Sequence, residues 1–451
     1  MFPVRCLLVR PKNLFLITFD AMRADAFYSL VRFSADSDYK KFVENSVIFT
    51  NTFSNGPGTV QSFPAIMTSN YFLYHCGFRL NPIITTLAEC LSRVGYRTVG
   101  FNSNEFLTGR FGYSRGFDEY YDFESQLYRE TTSEAKHVKL LRKLWMIGLF
   151  AKPLLAKIRK IYFLTRVYKL PYLDASTITS LAIYWLKRNK GRKVFMWLHY
   201  MDTHFPYAPP DEFLPAEFND RREALAYHYS IHRQLISKGD IIRLWRLYLG
   251  EVRYIHSQVA KLLEFLEESG VLEESIIIMT ADHGDAFGEH GYIGHEFHNL
   301  YNELLKVPLL IFDNEHSGIV DKPVFLIDIM PTILSYVDYP DRVILQGRNL
   351  LGLLSGESKK RKISFIDSAL FCREHAPRVY LSKPIVALVD YPWKLIYSYE
   401  GHIELYDIAS DPKEKKNLAT KELELTKRYV RLIRKHIVKA KIFRSRFCVA
   451  R

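Results

Sequence analysis

The chain alternates between short apolar runs and longer segments in which apolar residues recur at helical spacing. Runs typical of buried strands lie at residues 13–19, 45–53, 96–101, 194–201, 275–281 and 307–312. Helical spacing is found at residues 61–68, 85–94, 241–269 and 325–337. Strands that alternate with helices usually form a parallel sheet with helices on both faces. The pattern therefore predicts an α/β fold with a doubly wound, mainly parallel sheet flanked by helices.

The chain changes character from about residue 362. Short apolar runs that predict a small antiparallel subdomain follow at 363–366, 385–389 and 394–399. We expect three parts, namely a main domain over 1–355, a small α+β subdomain over 356–425 and a basic tail over 426–451. Within the main domain, residues 124–190 break the alternation and predict a basic helical insert. A helical cap with a solvated face is the alternative interpretation of that insert.

Polar residues directly follow several of the predicted strands. Asp20 follows the first of these runs, Asp202 and His204 follow the fourth, and Asp282 with His283 follow the fifth. In an open α/β sheet, ligands bind just beyond the carboxyl ends of the strands. Carboxylates together with imidazole can hold a divalent ion there. A loop of solvated acids and histidines has the same composition and is the alternative.

Thr59 follows a turn rich in Gly and Pro and precedes a segment of helical character. It therefore lies at or next to a predicted helix N-terminus. Free N–H groups and the positive end of the helix dipole favour an anion at such a position.

The charge of the chain is concentrated in two segments. The 451 residues carry 62 Lys and Arg against 49 Asp and Glu, a formal net charge of +13. Ten of these bases lie in 136–170 and ten in 427–451, and neither segment contains an acid. The rest has 42 bases against 49 acids, a net charge of −7. Basic segments with interleaved aromatic residues predict a peripheral contact with an anionic membrane. A solubilising face is the alternative, and no specific nucleic-acid partner is predicted.

The five cysteines have no paired spacing, so we expect neither a disulfide framework nor a thiolate metal site. The first apolar run is too short and wrongly flanked for a signal peptide. No apolar run approaches the length of a membrane span. These features predict a cytoplasmic protein, peripheral at the inner membrane surface if it contacts a membrane.

Eight motifs follow one another along the chain, and together they resemble one known family. They are TFDAMRAD, SFPAIMTS, TLAECLSRVGYRT, HYMDTHFPYAPP, TADHGDAFGEHG, LYNELLKVPLLI, DIMPTIL with the later GRNL, and ELYDIASDPKEKKNL. In this order they resemble the sulfatase branch of the alkaline phosphatase superfamily. The resemblance covers most of the chain, apart from the insert and the tail.

The resemblance implies roles for individual residues. Asp20, Asp282 and His283 match the metal-binding positions of the family. Thr59 matches the nucleophile at the family's spacing. Since a threonine hydroxyl needs a metal or a base to remove its proton, Thr59 is also a candidate metal ligand.

Two histidines, His204 and His295, match positions that hold the anionic ester oxygens or the leaving group. Further candidates for substrate binding or for support of the site are Asp202, His298, Asn102 and Asn104. Asp202 either ligates a second ion or orients His204.

The nucleophile motif departs from the family. Sulfatases have Cys-x-Pro-Ser-Arg, in which the Cys is converted to formylglycine. Here the five positions are Thr59, Val60, Gln61, Ser62 and Phe63. Threonine nucleophiles occur in relatives that act on phosphorus, such as lipoteichoic acid synthases and phosphopentomutases. The family's second acid after the first strand is also replaced, by Ala21, and Thr59 can supply the oxygen ligand that this removes.

These residues predict a metal-dependent hydrolase, or transferase, of phosphate mono- or diesters with a covalent intermediate on Thr59. Three oxygens and one nitrogen favour Zn²⁺ or Mn²⁺ over Ca²⁺ or Mg²⁺. The substrate is expected to be a small-molecule or lipid-linked anionic ester. Two alternatives stay open, a sulfatase that uses unmodified Thr59 and a binding protein that has lost catalysis.

Overall fold

The structure is a computed structural model that describes residues 13–32, 37–122, 170–231, 237–356, 363–372, 380–398 and 400–447. The strands are β1 (Asn13–Phe19), β2 (Val47–Phe49), β3 (Thr52–Phe53), β4 (Arg97–Asn102), β5 (Glu119–Asp122), β6 (Val194–Tyr200), β7 (Ser275–Ala281), β8 (Ala286–Phe287), β9 (Ile293–Gly294), β10 (Leu309–Phe312), β11 (Gly318–Val320), β12 (Val324–Phe325), β13 (Ser364–Cys372), β14 (Tyr380–Asp390), β15 (Trp393–Ser398) and β16 (Ile403–Asp407). The α-helices are α1 (Ala24–Arg32), α2 (Ser37–Glu44), α3 (Thr59–Thr68), α4 (Leu87–Arg93), α5 (Ala175–Arg188), α6 (Arg221–Ile231), α7 (Lys238–Glu268), α8 (Asn302–Leu305), α9 (Ile329–Tyr336), α10 (Leu351–Leu354) and α11 (Leu423–Phe447).

The main sheet has eight strands in the order β11-β2-β10-β7-β1-β6-β4-β5. β1 runs parallel to β7 and β6, and β4 and β5 extend the parallel half. β10 runs antiparallel to β7 and β2. Every residue of β1, β6 and β7 is buried, as expected for a sheet that helices cover on both faces. The predicted α/β fold with a mainly parallel sheet is confirmed.

The register of the central strands brings three strand ends to one level. Phe19 of β1 pairs with Tyr200 of β6 and with Ala281 of β7. Backbone bonds continue one residue further, from Asp20 N to Tyr200 O at 2.8 Å and from Asp282 N to Phe19 O at 3.2 Å. Asp20 and Asp282 therefore leave the sheet side by side.

The predicted insert at 124–190 falls mostly outside the described residues. Its last part forms α5, which begins at an Asp174 side chain that accepts from Thr177 N. Ile178 and Trp185 of this helix are buried in the main apolar core. The α5 helix therefore belongs to the layer that covers the main sheet, and the rest of the insert stays a prediction.

The C-terminal part is a four-stranded antiparallel sheet, β13-β14-β15-β16, with α11 packed on it. Tyr429 and Ile433 of α11 are buried in the core of this subdomain, so the predicted tail is largely a packed helix. Lys394 of β15 forms a buried ion pair with Glu414 at 2.6 Å. Glu414 also accepts from Asn302 N at 2.7 Å, which joins the subdomain to the main domain. The exact domain boundaries stay predictions.

Two cysteines have described side chains. Cys76 is disulfide-bonded, whereas Cys90 is a buried free thiol. The expectation of no disulfide is therefore wrong at Cys76, because its pairing depends on the fold and leaves no local spacing signal. Across the described ranges, no helix combines the length and the apolar character that a membrane crossing requires.

Candidate active site

Two fully buried carboxylates, Asp20 and Asp282, lie at the ends of β1 and β7. Each has one oxygen held by protein donors. Oδ1 of Asp282 accepts from the backbone N–H groups of Ala21 and His283 at 3.1 and 2.9 Å, and Oδ2 of Asp20 accepts from Asn104 Nδ2 at 2.9 Å. Oδ1 of Asp20 and Oδ2 of Asp282 have no hydrogen-bond partner. Since an unpaired buried carboxylate oxygen is costly, these two atoms fit the role of ligands for a cation.

His283 faces both unpartnered oxygens. Its Nε2 lies 3.6 Å from Asp20 Oδ1 and 3.5 Å from Asp282 Oδ2. Its Nδ1 lies 2.8 Å from the carbonyl oxygen of Gly284, which can only accept, so the proton is on Nδ1 and Nε2 keeps its lone pair. Burial lowers the pKa of His283 to about 3. Asp20, Asp282 and His283 thus offer three ligand atoms within 4.8 Å of one another.

The pKa values of the two carboxylates are shifted in opposite directions. Burial and the charge of Asp20 raise the pKa of Asp282. Burial acts in the same direction on Asp20, but the charge of His204 and the hydrogen bond with His199 outweigh it and lower the pKa of Asp20. Two buried acids at this distance hold both negative charges only with positive charge beside them.

Thr59 is the first residue of α3, and no side chain caps this helix N-terminus. Its Oγ1 lies 3.3 Å from Asp20 Oδ2 and 3.4 Å from His283 Nε2. The preceding turn needs glycine, because a Cβ on Gly56 would lie 2.3 Å from Gln61 Cβ. The chain therefore directs a hydroxyl at the carboxylate cluster, beside helix N–H groups that favour an anion.

Two histidines lie over the cluster. The ring centroid of His295 is 4.4 Å from that of His283 and 5.0 Å from that of His204. Nδ1 of His204 donates to Phe205 O at 2.6 Å. Both His204 and His295 are partly exposed, whereas His283 is buried. A substrate can therefore reach these two rings from solvent.

His295 is held by Asp285, a buried residue that the sequence analysis did not single out. Asp285 Oδ1 lies 2.9 Å from His295 Nδ1, and Asp285 Oδ2 accepts from the Tyr207 hydroxyl. Burial alone would lower the pKa of His295, but the charge of Asp285 and its hydrogen bond outweigh burial and raise it. The arrangement favours a protonated His295.

The two asparagines have different positions. Asn104 donates to Asp20 Oδ2 and therefore belongs to the carboxylate cluster. Asn102 accepts from Asn104 N at 3.2 Å and donates to Tyr120 OH at 2.9 Å. Asn102 thus supports the turn that carries Asn104.

Asp202 and His298 are not part of the group of ligand atoms within 4.8 Å of one another. Asp202 accepts from Ala175 N at 3.1 Å, and burial raises its pKa to about 7. Among the described contacts, Asp202 has no hydrogen bond to His204, whose Nδ1 bonds to a backbone carbonyl. His298 is exposed and packs edge-on against Tyr292, with 5.1 Å between centroids.

A profile of the family described as Sulfatase matches residues 12–339, well over half of the chain. The chain belongs to the sulfatase family. A second profile, N-sulphoglucosamine sulphohydrolase, C-terminal, matches residues 288–440. In this sulfatase-family chain, the second match includes the small antiparallel sheet and most of α11.

Curated relatives agree with this family, and a solved structure has the same fold. The multifunctional alkaline phosphatase superfamily protein PehA of Trinickia caryophylli is 27% identical over 289 residues, which cover 55% of this chain and 56% of that protein. The arylsulfatase of Clostridium perfringens is 26% identical over 259 residues, 52% of this chain and 51% of that enzyme. The chain thus spans about half the length of these relatives. The phosphonate monoester hydrolase of Agrobacterium radiobacter has the same fold, with a TM-score of 0.71 over 96% of both chains at 18% identity.

The cluster of Asp20, Asp282 and His283 is a site at which a metal fits. Sequence reasoning missed two buried residues around it. Asp285 lies three positions after Asp282 inside a family motif, so a signal was present. His199 is the first residue of the motif HYMDTHFPYAPP, but it lies within the apolar run of β6, where the pattern predicts a strand residue.

Proposed function

We propose that this sulfatase-family chain is a metal-dependent hydrolase of phosphate mono- or diesters with Thr59 as its nucleophile. The observation that carries the proposal is the Thr59 hydroxyl, 3.3 Å from Asp20 Oδ2 and 3.4 Å from His283 Nε2 at a helix N-terminus. A threonine hydroxyl is a weak nucleophile until a base or a metal takes its proton. In this chain it lies beside a carboxylate and beside the candidate metal ligands.

In the first step, a bond forms between Thr59 Oγ1 and phosphorus, and the bond from phosphorus to the leaving oxygen breaks. The Thr59 proton passes to Asp20 Oδ2, the carboxylate oxygen in contact with the hydroxyl. His295, protonated through Asp285, gives its proton to the leaving oxygen, while His204 binds an ester oxygen. In the second step, neutral His295 takes a proton from water as the water oxygen bonds to phosphorus. The bond from phosphorus to Thr59 Oγ1 breaks, and Asp20 returns its proton to Thr59. In a transferase, an acceptor alcohol would replace that water.

The metal would be held by Asp20 Oδ1, Asp282 Oδ2, His283 Nε2 and Thr59 Oγ1. When bound, it would lower the pKa of the hydroxyl and neutralise charge on the ester. A ligand set with one imidazole suits Zn²⁺ or Mn²⁺ better than Ca²⁺ or Mg²⁺. Ala21 offers no ligand in place of the family's second acid. Its backbone has a φ of 55° and its N–H holds Asp282 instead.

A sulfatase that uses unmodified Thr59 is the second candidate, favoured by the family profile and by the arylsulfatase relative. A binding protein is the third, although the nucleophile, the ligands and two histidines are all present. Metal-loaded protein and Thr59→Ala should be assayed on phosphate monoesters, phosphate diesters and sulfate esters. Faster turnover of phosphate than of sulfate esters supports the proposal. Faster turnover of sulfate esters supports the second candidate, and no turnover of any ester supports the third.

The nucleophile itself is tested by trapping. Thr59→Ala should lower turnover by about 10³-fold or more, as removal of a covalent nucleophile does. Acid quenching during turnover should leave a phosphate adduct on the peptide that contains Thr59. Ser62→Ala is the matched control, because the Ser62 hydroxyl donates to Gly58 O at 3.0 Å and serves the helix backbone. An adduct on Ser62, or full activity of Thr59→Ala, would show that the assignment is wrong.

We also propose a peripheral contact with an anionic membrane through the exposed face of α11. After Glu424 this helix contains no acid. Its exposed residues include four apolar ones, Leu423, Val438, Ile442 and Phe447, and a set of bases, Lys427, Arg428, Arg431, Arg434, Lys435, Lys439, Lys441 and Arg446. Each base near an anionic surface contributes on the order of 1 kcal/mol, and salt screens the attraction. The other basic segment, 136–170, lies outside the described residues.

Vesicle sedimentation of the full chain tests this contact. Binding to anionic but not neutral vesicles, weakened by salt and by Arg431→Glu with Lys435→Glu, supports the proposal. Failure to bind either vesicle type would refute the proposed membrane contact of α11. Glu substitution at the partly covered Arg444 is not suitable, because its guanidinium donates to Leu73 O.

The cytoplasmic location stays a prediction, and the disulfide at Cys76 weighs against it, because disulfides are rare in a reducing cytosol. Counting reactive thiols in unfolded protein from its native cells decides between the compartments. Five thiols without reductant support the cytoplasm, since the chain has five cysteines. Three thiols that rise to five on reduction support an oxidising compartment.

A further inference from the structure

His199 is a fully buried histidine of β6 whose two ring nitrogens both have partners. It lies in register with Thr18 of β1. Its Nε2 is 3.2 Å from Asp20 Oδ2, and its Nδ1 is 2.9 Å from Thr18 Oγ1. His199 therefore connects a candidate metal ligand to the interior of the sheet.

The proton on His199 can be assigned by counting the donors around Thr18. The Thr18 hydroxyl has one proton to give, and its neighbours are Trp197 Nε1 at 2.9 Å, Leu198 O at 3.1 Å and His199 Nδ1. The indole N–H can only donate and the carbonyl can only accept. If the hydroxyl donates to Nδ1, a neutral His199 carries its proton on Nε2. If the hydroxyl donates to the carbonyl, Nδ1 must carry a proton.

In the second arrangement, a neutral His199 would have no proton on Nε2, and the Nε2 lone pair would point at Asp20 Oδ2. Only a ring that is protonated on both nitrogens avoids this repulsion. Both acceptable arrangements therefore have a proton on Nε2. The Nε2–H donates to Asp20 Oδ2 in each of them.

The ring is also fixed by its aromatic surroundings. The Phe63 ring lies edge-on to His199, at 5.0 Å between centroids and an interplanar angle of 87°. Trp197 lies on another side at 6.1 Å. Phe63 occupies the position at which the resemblance implies an arginine, so apolar packing replaces a charged side chain behind Asp20.

His199 acts neither on substrate nor as a ligand. It has no exposed surface, so a substrate cannot touch it. It is not part of the group of ligand atoms within 4.8 Å of one another, which consists of Asp20, Asp282 and His283. Its partner is Oδ2 of Asp20, whereas the oxygen without a partner, Oδ1, faces His283.

We propose that His199 is a positioning residue for Asp20, which it holds by an Nε2–H···Oδ2 hydrogen bond so that Oδ1 remains free to bind the metal ion. Thr18 and Trp197 fix the tautomer and the ring that make this bond. The inference rests on the metal site proposed above and extends it to a residue inside the sheet. It follows the general rule that partners behind the ligands tune metal affinity.

The test compares Zn²⁺ and Mn²⁺ dissociation constants, measured by chelator competition, for wild type, His199→Phe and His199→Gln. His199→Phe keeps the packing and removes the donor, so we expect the dissociation constant to rise by about 10- to 100-fold. His199→Gln retains an N–H donor and should stay within about threefold of wild type. At saturating metal, turnover of His199→Phe should recover most of the wild-type value, which separates positioning from catalysis.

The matched control is His256→Phe. His256 is also a buried histidine among aromatic rings, with an unpartnered Nε2, but it contacts Phe27 and Tyr39 instead of the cluster. The His256→Phe variant should bind metal with the affinity of wild type. If His199→Phe does not fold, the metal dissociation constants of Thr18→Val and Thr18→Ser are compared instead. Only serine keeps the hydroxyl that fixes the tautomer of His199.

The outcomes separate this inference from the metal site. If Asp282→Asn abolishes metal binding while His199→Phe binds as tightly as wild type, the role of His199 is refuted and the site stands. If Asp282→Asn binds metal normally, the proposed site itself fails. Weakening by Thr18→Val but not by Thr18→Ser supports the inference, and equal affinities of the two refute it.

Discussion

Replacing Asp285 by Asn should impair the reaction without unfolding the protein. Asp285 is buried, holds His295 Nδ1 at 2.9 Å and accepts from the Tyr207 hydroxyl. Asn has nearly the same shape, and its oxygen can still accept from the imidazole. The change therefore removes a negative charge behind His295 and leaves the packing in place.

The magnitude follows from the kind of bond that is lost. A hydrogen bond to a charged group contributes about 1.5–3 kcal/mol net, and each 1.36 kcal/mol corresponds to a factor of ten. Weakening this bond should lower kcat/KM by about 10- to 150-fold. The loss should grow with the basicity of the leaving group, because His295 is proposed to protonate the leaving oxygen.

The assay is a series of aryl and alkyl phosphodiesters with leaving groups of increasing pKa, at saturating metal. Asp240→Asn is the matched control, since Asp240 is a partly exposed residue of the capping box at the start of α7. A loss that is the same for every leaving group would assign His295 to ester binding alone. Wild-type kcat/KM for Asp285→Asn on the whole series would refute the role of the pair.

Three further predictions concern the metal, the subdomain contact and acid stability. Asp282→Asn should remove about one tightly bound Zn²⁺ or Mn²⁺ per chain, measured by metal analysis, together with chelator-sensitive activity. Lys394→Met should destabilise the fold by about 3–5 kcal/mol in denaturant unfolding, because it leaves Glu414 buried and unpaired, and adding Glu414→Leu should restore part of this. Burial lowers the pKa of His256 to about 3, below its unfolded value near 6.5. The unfolded chain therefore binds one more proton between these values, and stability falls as the pH drops below 6.5. His256→Phe should reduce that slope by up to about 1.4 kcal/mol per pH unit.

Much of the fold could be predicted from the sequence, because β1, β6 and β7 are buried along their whole length and read as continuous apolar runs. The positions of Asp20 and Asp282 at the sheet edge follow from the same pattern. The disulfide at Cys76 could not be predicted, since it depends on a distant part of the chain. The packing of the basic tail on the small sheet could not be predicted, because charged residues alternate in its sequence with Tyr429 and Ile433, which are buried in that contact.

The supporting residues of the site show where sequence patterns stop being informative. A strand end is visible in the sequence as a change from apolar to polar residues, and so Asp282 stands out after an apolar run. His199 and Thr18 lie inside such runs, where a single polar residue is usually a satisfied member of the core. Their role depends on the register of β1 and β6, which places Thr18 beside His199 although they are 181 positions apart in the sequence. Only that pairing shows that the proton on His199 must point at Asp20. The chemistry of the strand ends therefore depends on residues one step back inside the sheet. Thr18 and His199 open two of the family motifs, but a motif does not show which residue each of them contacts across the sheet.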